Sequence, residues 1–320
     1  MDLLMMVVYA VTVLMLLLGA VTYSILFERK VIGYMQVRHG PNRHGPFGML
    51  QTIADVSKLL MKEDVIPKAA DRPIFILAPV IAFVPAFAIF ATIAWSENIY
   101  AADLSIGVLY FIGISSITTL GVIMGGWSSN NKYSLMGAMR GVAQVISYEI
   151  PLVLSIVGVV ILAGSLNFRE IVLYQESIGL WLIIPQFLAF FVYMISAIAE
   201  LNRSPFDLPE AESELVSGYH TEYSGFRFAF FMLAEYTYAI AISALATTLF
   251  LGGWLGPAFL PGIVWFLLKM CGFMFIWFWL RATLPRARVD HLMGFGWKVL
   301  IPLALINIVI TAIIKVWMGW

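Results

Sequence analysis

Carboxylates between two apolar segments are the residues of this sequence best suited to chemistry. The stretch from 200 to 235 holds seven acids against two bases, Arg203 and Arg227. The seven acids are Glu200, Asp207, Glu210, Glu212, Glu214, Glu222 and Glu235. Acids that lie close together raise each other's pKa values, so such a group can bind and release protons. A solvated connector is the alternative interpretation. The acidic cluster is favoured over it because the acids alternate with apolar residues.

The local pattern predicts a short helix within this stretch. Asp207 followed by Glu210 resembles a capping box, which predicts a helix that begins at Asp207. On that helix Asp207, Glu210 and Glu214 would share one face, while Glu212 would point away. We therefore expect Asp207, Glu210 and Glu214 to form a coupled acidic cluster.

Three ionisable residues lie inside apolar segments that are long enough to cross a bilayer. They are Glu149, Glu235 and Lys269. An ionisable group at the centre of a spanning helix costs about 2.5–3.5 kcal/mol on insertion scales. The three residues reach similar depths from the same side, so we expect them to face the bundle interior or water. Either a paired, architectural ion triad or a hydrated proton path fits this placement.

The composition is typical of a polytopic membrane protein. Of 320 residues, 61% are hydrophobic and 12% are charged, and the mean hydropathy is +0.91. These values exclude an ordinary soluble domain. Apolar runs of about 20 residues predict spanning helices, and eight such runs predict one all-α membrane domain over 1–320. The runs cover 3–27, 74–95, 104–126, 142–163, 180–200, 227–251, 261–281 and 298–317.

The distribution of Lys and Arg predicts the orientation. Of the 19 cations, all except Arg169, Lys269 and Lys315 lie in connections that follow odd-numbered spans. This bias predicts that those connections are on the inner side and that both termini are on the outer side. The first apolar run has no basic segment before it, so it is interpreted as a retained helix rather than a cleaved signal peptide.

The segment 47–64 has a helical pattern but is too polar to span a bilayer. Gln51, Asp55, Lys58 and Lys62 follow one face. The pattern predicts an amphipathic helix at the inner membrane surface. Asp55 and Lys58, three residues apart, are expected to pair.

Several function classes are excluded by composition. The formal net charge is zero, so nothing indicates a nucleic-acid partner. Cys271 is the only cysteine, which excludes internal disulfides and a cysteine-ligated metal or iron–sulfur centre. The four histidines are scattered, and no metal site is predicted. Neither a GxGxxG motif nor a P-loop is present, which excludes nucleotide sites of the familiar kinds.

Five motifs together resemble one membrane-protein family. They read ERKVIGYMQVRHGPNRHGPFG, GWSSNNKYSLMGAMR, QVISYEIPL, PFDLPEAESELVSGYHTEYSG and FIWFWLRATLPRARVD. The chain resembles, over essentially its whole length, the quinone-site membrane subunit of respiratory complex I, which is called NADH dehydrogenase subunit 1 in mitochondria. The GPNR and GYHTEYSG forms resemble the bacterial respiratory enzyme more than related hydrogenase subunits. Val289 and His291 depart from the family, which commonly has Tyr and Gln there.

The resemblance implies a subunit of a proton-translocating NADH:quinone oxidoreductase in the bacterial plasma membrane rather than the mitochondrial inner membrane. Quinone would be the bound substrate, and the flavin and iron–sulfur clusters would belong to partner chains. The implied partners are other membrane-arm subunits and the peripheral-arm subunits that carry the terminal iron–sulfur cluster and the quinone headgroup site. A membrane anchor of a hydrogenase-type complex without quinone, or a stand-alone ion transporter, are the alternatives.

The resemblance also implies two sets of site residues. The quinone chamber would include Arg29, Arg38, Asp55, Lys58, Phe228 and Arg281. Coupling of quinone chemistry to proton movement would involve Glu28, Glu149, Asp207, Glu210, Glu212, Glu214, Glu222 and Glu235. Lys269 joins the coupling set because of its position inside a spanning segment.

Overall fold

The computed structural model describes residues 3–209, 212–257 and 259–318, and twelve α-helices lie within these ranges. In chain order they are α1 (Leu3–Met35), α2 (Gln51–Met61), α3 (Arg72–Ala88), α4 (Gly107–Ser128), α5 (Lys132–Ala163), α6 (Phe168–Ile178), α7 (Phe187–Glu200), α8 (Glu212–Leu215), α9 (Gly225–Phe250), α10 (Gly262–Thr283), α11 (Val289–Phe295) and α12 (Ile301–Met318). The prediction of an all-α polytopic protein is confirmed at this level.

Seven segments of the described chain are long and apolar enough to cross a membrane. They correspond to seven of the eight predicted spans. The remaining prediction, 180–200, becomes helical only from Phe187, and α7 has 14 residues. Residues 182–186 form turns, and the buried Gln186 side chain just before α7 donates to Thr311 and accepts from Asn307 on α12.

The helix α5 extends well beyond the predicted span 142–163, to 32 residues. The side chain of Asn131 accepts a hydrogen bond from the Tyr133 N–H and so caps its first turn. Gly164, with φ of 72°, ends it in the left-handed conformation that glycine tolerates best. The helix therefore begins about ten residues before the predicted span.

The helix expected over 47–64 is shorter than predicted. A 3-10 turn over Pro46–Gly48 precedes α2, which runs from Gln51 to Met61. Of the α2 side chains only Thr52 is buried, and α2 packs beside α1 and α9. This arrangement is typical of a helix with a lipid-facing or water-facing outer side.

The predicted helix from Asp207 is wrong. Residues 203–209 are irregular, and the short helix α8 begins at Glu212. Tertiary contacts hold residues 203–209 in place instead of helical hydrogen bonds. Pro209 packs closely against Gly137 and Gly141 of α5. Glu210, which would have completed the capping box, lies outside the described residues.

The central element of the bundle is α9. Every side chain from Tyr236 to Phe250 is buried. This helix packs against α1, α3 and α10, while α5 packs against α4, α7 and α12. Polar groups on the buried half of α9 therefore lie in a low-dielectric environment and need partners.

Candidate functional site

The candidate site centres on Glu28 of α1, whose exposed fraction is only 3%. Its carboxylate accepts hydrogen bonds from the Arg281 guanidinium on α10 and from the Tyr236 hydroxyl on α9. Burying an unpaired carboxylate would be costly, so these donors are what make the position tolerable. One carboxylate thus joins three helices.

Arg203, in the loop after α7, extends this centre. Its Nη1 lies 3.9 Å from Glu28 Oε1, and its Nη2 lies 3.3 Å from Glu235 Oε2. The guanidinium also lies 4.7 Å from the ring centroid of Tyr236, within cation–π range. We call Glu28, Arg203, Glu235, Tyr236 and Arg281 the buried ion cluster. Two carboxylates and two guanidinium groups cancel in formal charge, which suits a low-dielectric site.

A small cavity adjoins the buried ion cluster. Its volume is about 60 Å³, and its lining includes Glu235, Glu200 and Tyr238. Because one water needs about 10–15 Å³ by this measure, the cavity has room for a few water molecules. Tyr238 donates to one Glu200 oxygen, and the other, Oε2, is buried without a hydrogen-bond partner among the described residues. The cavity therefore places the buried carboxylate of Glu200 and the half-buried carboxylate of Glu235 beside one small space.

Glu149 continues the series of acids on α5. Its carboxylate is half-buried and accepts a hydrogen bond from the Ser116 hydroxyl on α4. The charges of Glu149 and Glu200 also interact. Glu149 and Glu235 both make contacts within the bundle, as expected. Glu200 interacts with the charge of Glu149 and shares the cavity with Glu235.

Lys269 does not join these acids. Its Nζ donates to the carbonyls of Leu251, Gly253 and Leu255, at 2.6, 3.0 and 2.6 Å. Among the described residues no carboxylate lies within ion-pairing distance of it. Of the two alternatives left open by the sequence, an ion triad of Lys269 with Glu149 and Glu235 is therefore wrong. Lys269 lies seven residues into α10, near the end of the bundle opposite to Arg281.

Acids of the loop between α7 and α9 pair individually with other elements. Arg286 donates to Asp207 at 2.9 Å, and Arg140 of α5 donates to Glu214 at 2.6 Å. The hydrogen bond and the positive charge of Arg140 lower the pKa of Glu214 below its ordinary value. Since Asp207 and Glu214 bind different arginines, the expected shared helical face is not found. Glu210 lies outside the described residues, as does the Glu212 side chain.

Glu222, at the end of the same loop, accepts a hydrogen bond from Asn131 Nδ2 at 2.6 Å. The adjacent Tyr223 stacks on Phe75 with ring centroids 4.0 Å apart, and its hydroxyl lies 3.2 Å from Ser128 Oγ. Burial raises the pKa of Tyr223 to about 12. These contacts fix the loop to α3 and α4 immediately before α9 begins.

The residues expected around a quinone lie partly together. Arg29, next to Glu28 in sequence, donates to Asp55 of α2 at 2.5 Å. The expected Asp55–Lys58 pair is therefore wrong, because Asp55 pairs with Arg29 and Lys58 is exposed. Arg281 belongs to the buried ion cluster itself, and α1, which carries Arg29, packs against both α2 and α10.

Two other residues expected in this group lie apart from that pair. The ring of Phe228, on the first turn of α9, lies 5.3 Å from the ring of His220. Arg38 is exposed, and its Nε donates to the side chain of Gln36 at 2.7 Å. Neither residue contacts the buried ion cluster through a described hydrogen bond or ion pair.

Sequence reasoning missed four contributors to this site. Arg203, Tyr236 and Tyr238 hold the buried acids, and Gln144 holds the loop that carries Arg203. The Gln144 amide donates at 2.6 Å to the carbonyls of both Ala199 and Phe206. Arg203 had a usable signal, because it is one of two bases among seven acids.

Comparisons with known proteins match this chain over most of its length. A family model described as NADH dehydrogenase matches residues 7–312. The chain is 60% identical to the H subunit of the NADH-quinone oxidoreductase of Brevibacillus brevis over 312 residues, which cover 96% of this chain and 92% of the relative. The chain is 61% identical to the protein of the same name from Bacillus mycoides, over 96% of this chain and 92% of the relative. It is 60% identical to the protein of that name from Geobacillus kaustophilus, over 95% of this chain and 92% of the relative.

Proposed function

Because the chain belongs to the NADH dehydrogenase family, we propose that it is the quinone-site membrane subunit of a bacterial NADH-quinone oxidoreductase. The relatives' printed names support the enzyme and the substrate class. In this function the chain contributes no redox centre, and the flavin and iron–sulfur clusters belong to partner chains. Its partners are the other membrane-arm subunits and the peripheral-arm subunits beside the quinone headgroup site.

One observation carries the mechanistic part of the proposal. Buried and half-buried carboxylates follow one another from α1 to α5: Glu28, then Glu235 through Arg203, then the cavity, then Glu200 and finally Glu149. The pKa of each carboxylate depends on the charge of its neighbour. A charge change at Glu28 can therefore be passed along the series without large movements of the helices.

The quinone would meet this chain where α1, α2, α9 and α10 adjoin. Quinone reduction consumes two electrons and two protons, so it changes the charge balance of its surroundings. Arg29, Asp55 and Lys58 would line the wall, and Arg281 would connect that wall to Glu28. We place Phe228 and Arg38 at the periphery of the chamber, since each has its own local partner.

The paired acids of the α7–α9 loop would respond to the same event. Asp207 follows Arg203 by four residues, so movement of Arg203 would be felt at the Asp207–Arg286 pair. Glu214 and Glu222 would anchor the loop on α5 and its cap. Coupling roles for Glu210 and Glu212 remain predictions from the sequence.

The membrane arrangement is part of the proposal. We propose eight spans, which are the seven long apolar segments and the shorter helix α7. Both termini would be on the outer side, and α2 would lie at the inner surface of the plasma membrane. The apolar segments and the bias of the cations support it.

Accessibility labelling tests this topology. In a Cys271→Ser background, Lys132→Cys and Ser177→Cys each place one thiol at an exposed position. An impermeant reagent added to intact cells should label position 177 only, and position 132 should react only in inverted vesicles. Labelling of both positions from one side would rule out this arrangement.

Glu235→Gln tests the coupling function. The variant removes one negative charge from the buried ion cluster, so charge can no longer pass between Glu28 and Glu200. We expect the NADH-quinone reductase rate and proton uptake by inverted vesicles to fall strongly. Reduction of a water-soluble acceptor by NADH should continue at the wild-type rate, because it needs only the partner chains.

Glu97→Gln is the matched control, because Glu97 is an exposed acid in the α3–α4 connection. It should leave both activities unchanged. Full quinone reductase activity with full proton uptake in assembled Glu235→Gln complexes would refute the coupling role.

A further inference from the structure

Lys269 occupies a cage of backbone carbonyls at the end of α9 farthest from the buried ion cluster. Its ammonium binds the oxygens of Leu251, Gly253 and Leu255 and lies 5.0 Å from the Trp181 ring centroid. Carbonyls at a helix C-terminus carry partial negative charge, which the ammonium offsets. No described carboxylate pairs with it, so no opposite formal charge cancels that of the Lys269 ammonium inside this apolar segment.

Three hydroxyl-bearing residues lie along one face of α9 between this cage and the buried ion cluster. Tyr236, Ser243 and Thr247 recur at spacings of seven and four, which puts them on one face of α9. Ser243 and Thr247 are fully buried, and the Trp277 indole donates to Ser243 Oγ at 2.8 Å. From Tyr236 to Thr247 the face runs about 17 Å at 1.5 Å per residue.

The last of these residues, Thr247, is linked to the cage through its backbone carbonyl. The Gly253 N–H donates to the Thr247 carbonyl at 2.8 Å, while the Gly253 carbonyl accepts from Lys269. Between Tyr236 and Ser243 on the same face lies one buried apolar side chain, Ile240. Ile240 therefore interrupts the row of hydroxyl groups. The charge of Lys269 still acts beyond this interruption, because a charge in a low-dielectric interior acts over several ångströms.

We propose that Lys269 is an electrostatic barrier that prevents protons from reaching the buried acids, or leaving them, through the far end of α9. A fixed cation raises the energy of any second positive charge that enters the same dry region, as in pores that exclude protons. The proposal rests on the proposed function, because only a protein that moves protons across a membrane needs such a seal.

Lys315 offers a matched comparison within the chain. Its Nζ also caps a helix C-terminus, donating to the Ile161 and Leu162 carbonyls of α5 at 2.5 and 3.2 Å. It lies in an open recess beside Ser105 and Gly164 rather than near the row of hydroxyl-bearing residues on α9. If Lys269 merely fastened a helix end, its loss and the loss of Lys315 should have the same consequence.

The test measures passive proton entry into proteoliposomes that contain the purified complex, without NADH or quinone. A potassium gradient with valinomycin supplies the driving potential, and an internal pH dye reports the rate. We expect Lys269→Met to raise the rate several-fold over wild type and Lys315→Met to leave it unchanged. Lys269→Gln should also leak, because it keeps amide donors for the carbonyls but lacks the charge.

Assembled Lys269→Met or Lys269→Gln complexes as tight as wild type would overturn the proposal. Equal leaks in Lys269→Met and Lys315→Met would overturn it as well, because that result fits helix capping alone. Quinone reduction by the wild-type vesicles is measured separately. Its absence would refute the proposed function, while the difference between the leaks would still decide whether Lys269 is a barrier.

Discussion

The buried ion cluster and the ion pairs of the α7–α9 loop both join arginines to carboxylates, but the surroundings of the two groups differ. The side chains of Glu28 and Arg203 are 4% and 10% exposed. Those of Arg140 and Glu214 are 28% and 57% exposed. Water screens the second pair and solvates either partner if the other is lost. In the first pair the partners replace water, so each depends on the others.

The surroundings of each group of ion pairs set how far a change of charge is felt. In the loop, a protonation change is absorbed by solvent within a short distance. In the buried ion cluster, the same change must be compensated by Glu28, Arg203, Glu235 or Arg281. Sensitivity to one removed charge should therefore fall steadily from the cluster to the loop.

Glu28→Gln should have the largest effect. The substitution leaves two buried or half-buried arginines with one carboxylate, and stranding a charge in this way typically costs about 3–5 kcal/mol. We expect less assembled complex on native gels and a lower thermal midpoint. Asp290→Asn is the control, because Asp290 and its partner Arg288 are each 80% exposed.

Removing both partners tests the same effect of burial. Glu28→Met together with Arg281→Met should destabilise the complex less than the sum of the single changes, because no charge of that pair is stranded. Equal losses in Glu28→Gln and Asp290→Asn would show that burial does not govern these pairs.

Asp55→Asn should have an intermediate effect. Arg29 and Asp55 are 46% and 31% exposed, so their pair is expected to contribute about 0.2–1 kcal/mol. The measurement is the thermal midpoint of the complex at low and high salt. The difference from wild type should shrink at high salt. Glu176→Gln, at an exposed position on α6, provides the control. A loss as large as that of Glu28→Gln would contradict the ranking.

Glu214→Gln should have the smallest effect, with a defined pH dependence. Because Arg140 lowers the pKa of Glu214 in the folded protein, the pair stabilises the fold above the ordinary carboxyl value of 4.5. That contribution disappears as the pH falls through the lowered pKa. The thermal midpoint of wild type should therefore be slightly higher than that of the variant at neutral pH, and the two midpoints should be equal in strong acid. A difference that grows on acidification would contradict the assignment.

The predictions that succeeded depend only on residues that are close together in the sequence. An apolar run of about 20 residues is a local property, so seven of the predicted spans correspond to long apolar helices. The prediction for 180–200 was only partly right, because residues 182–186 form turns and α7 begins at Phe187. The capping-box prediction failed because packing of Pro209 against α5 overrode a local signal.

The membrane class, the positions of the apolar helices and the identity of most acids at the site follow from the residues alone. Which charges meet depends on the packing of the helices. Arg281 and Tyr236 reach Glu28 from 253 and 208 residues away along the chain. The same packing placed Lys269 on backbone carbonyls rather than with Glu149 and Glu235. Charge pairing depends on which helices become neighbours, and that choice minimises the cost of burying polar groups over the whole bundle rather than along any one segment.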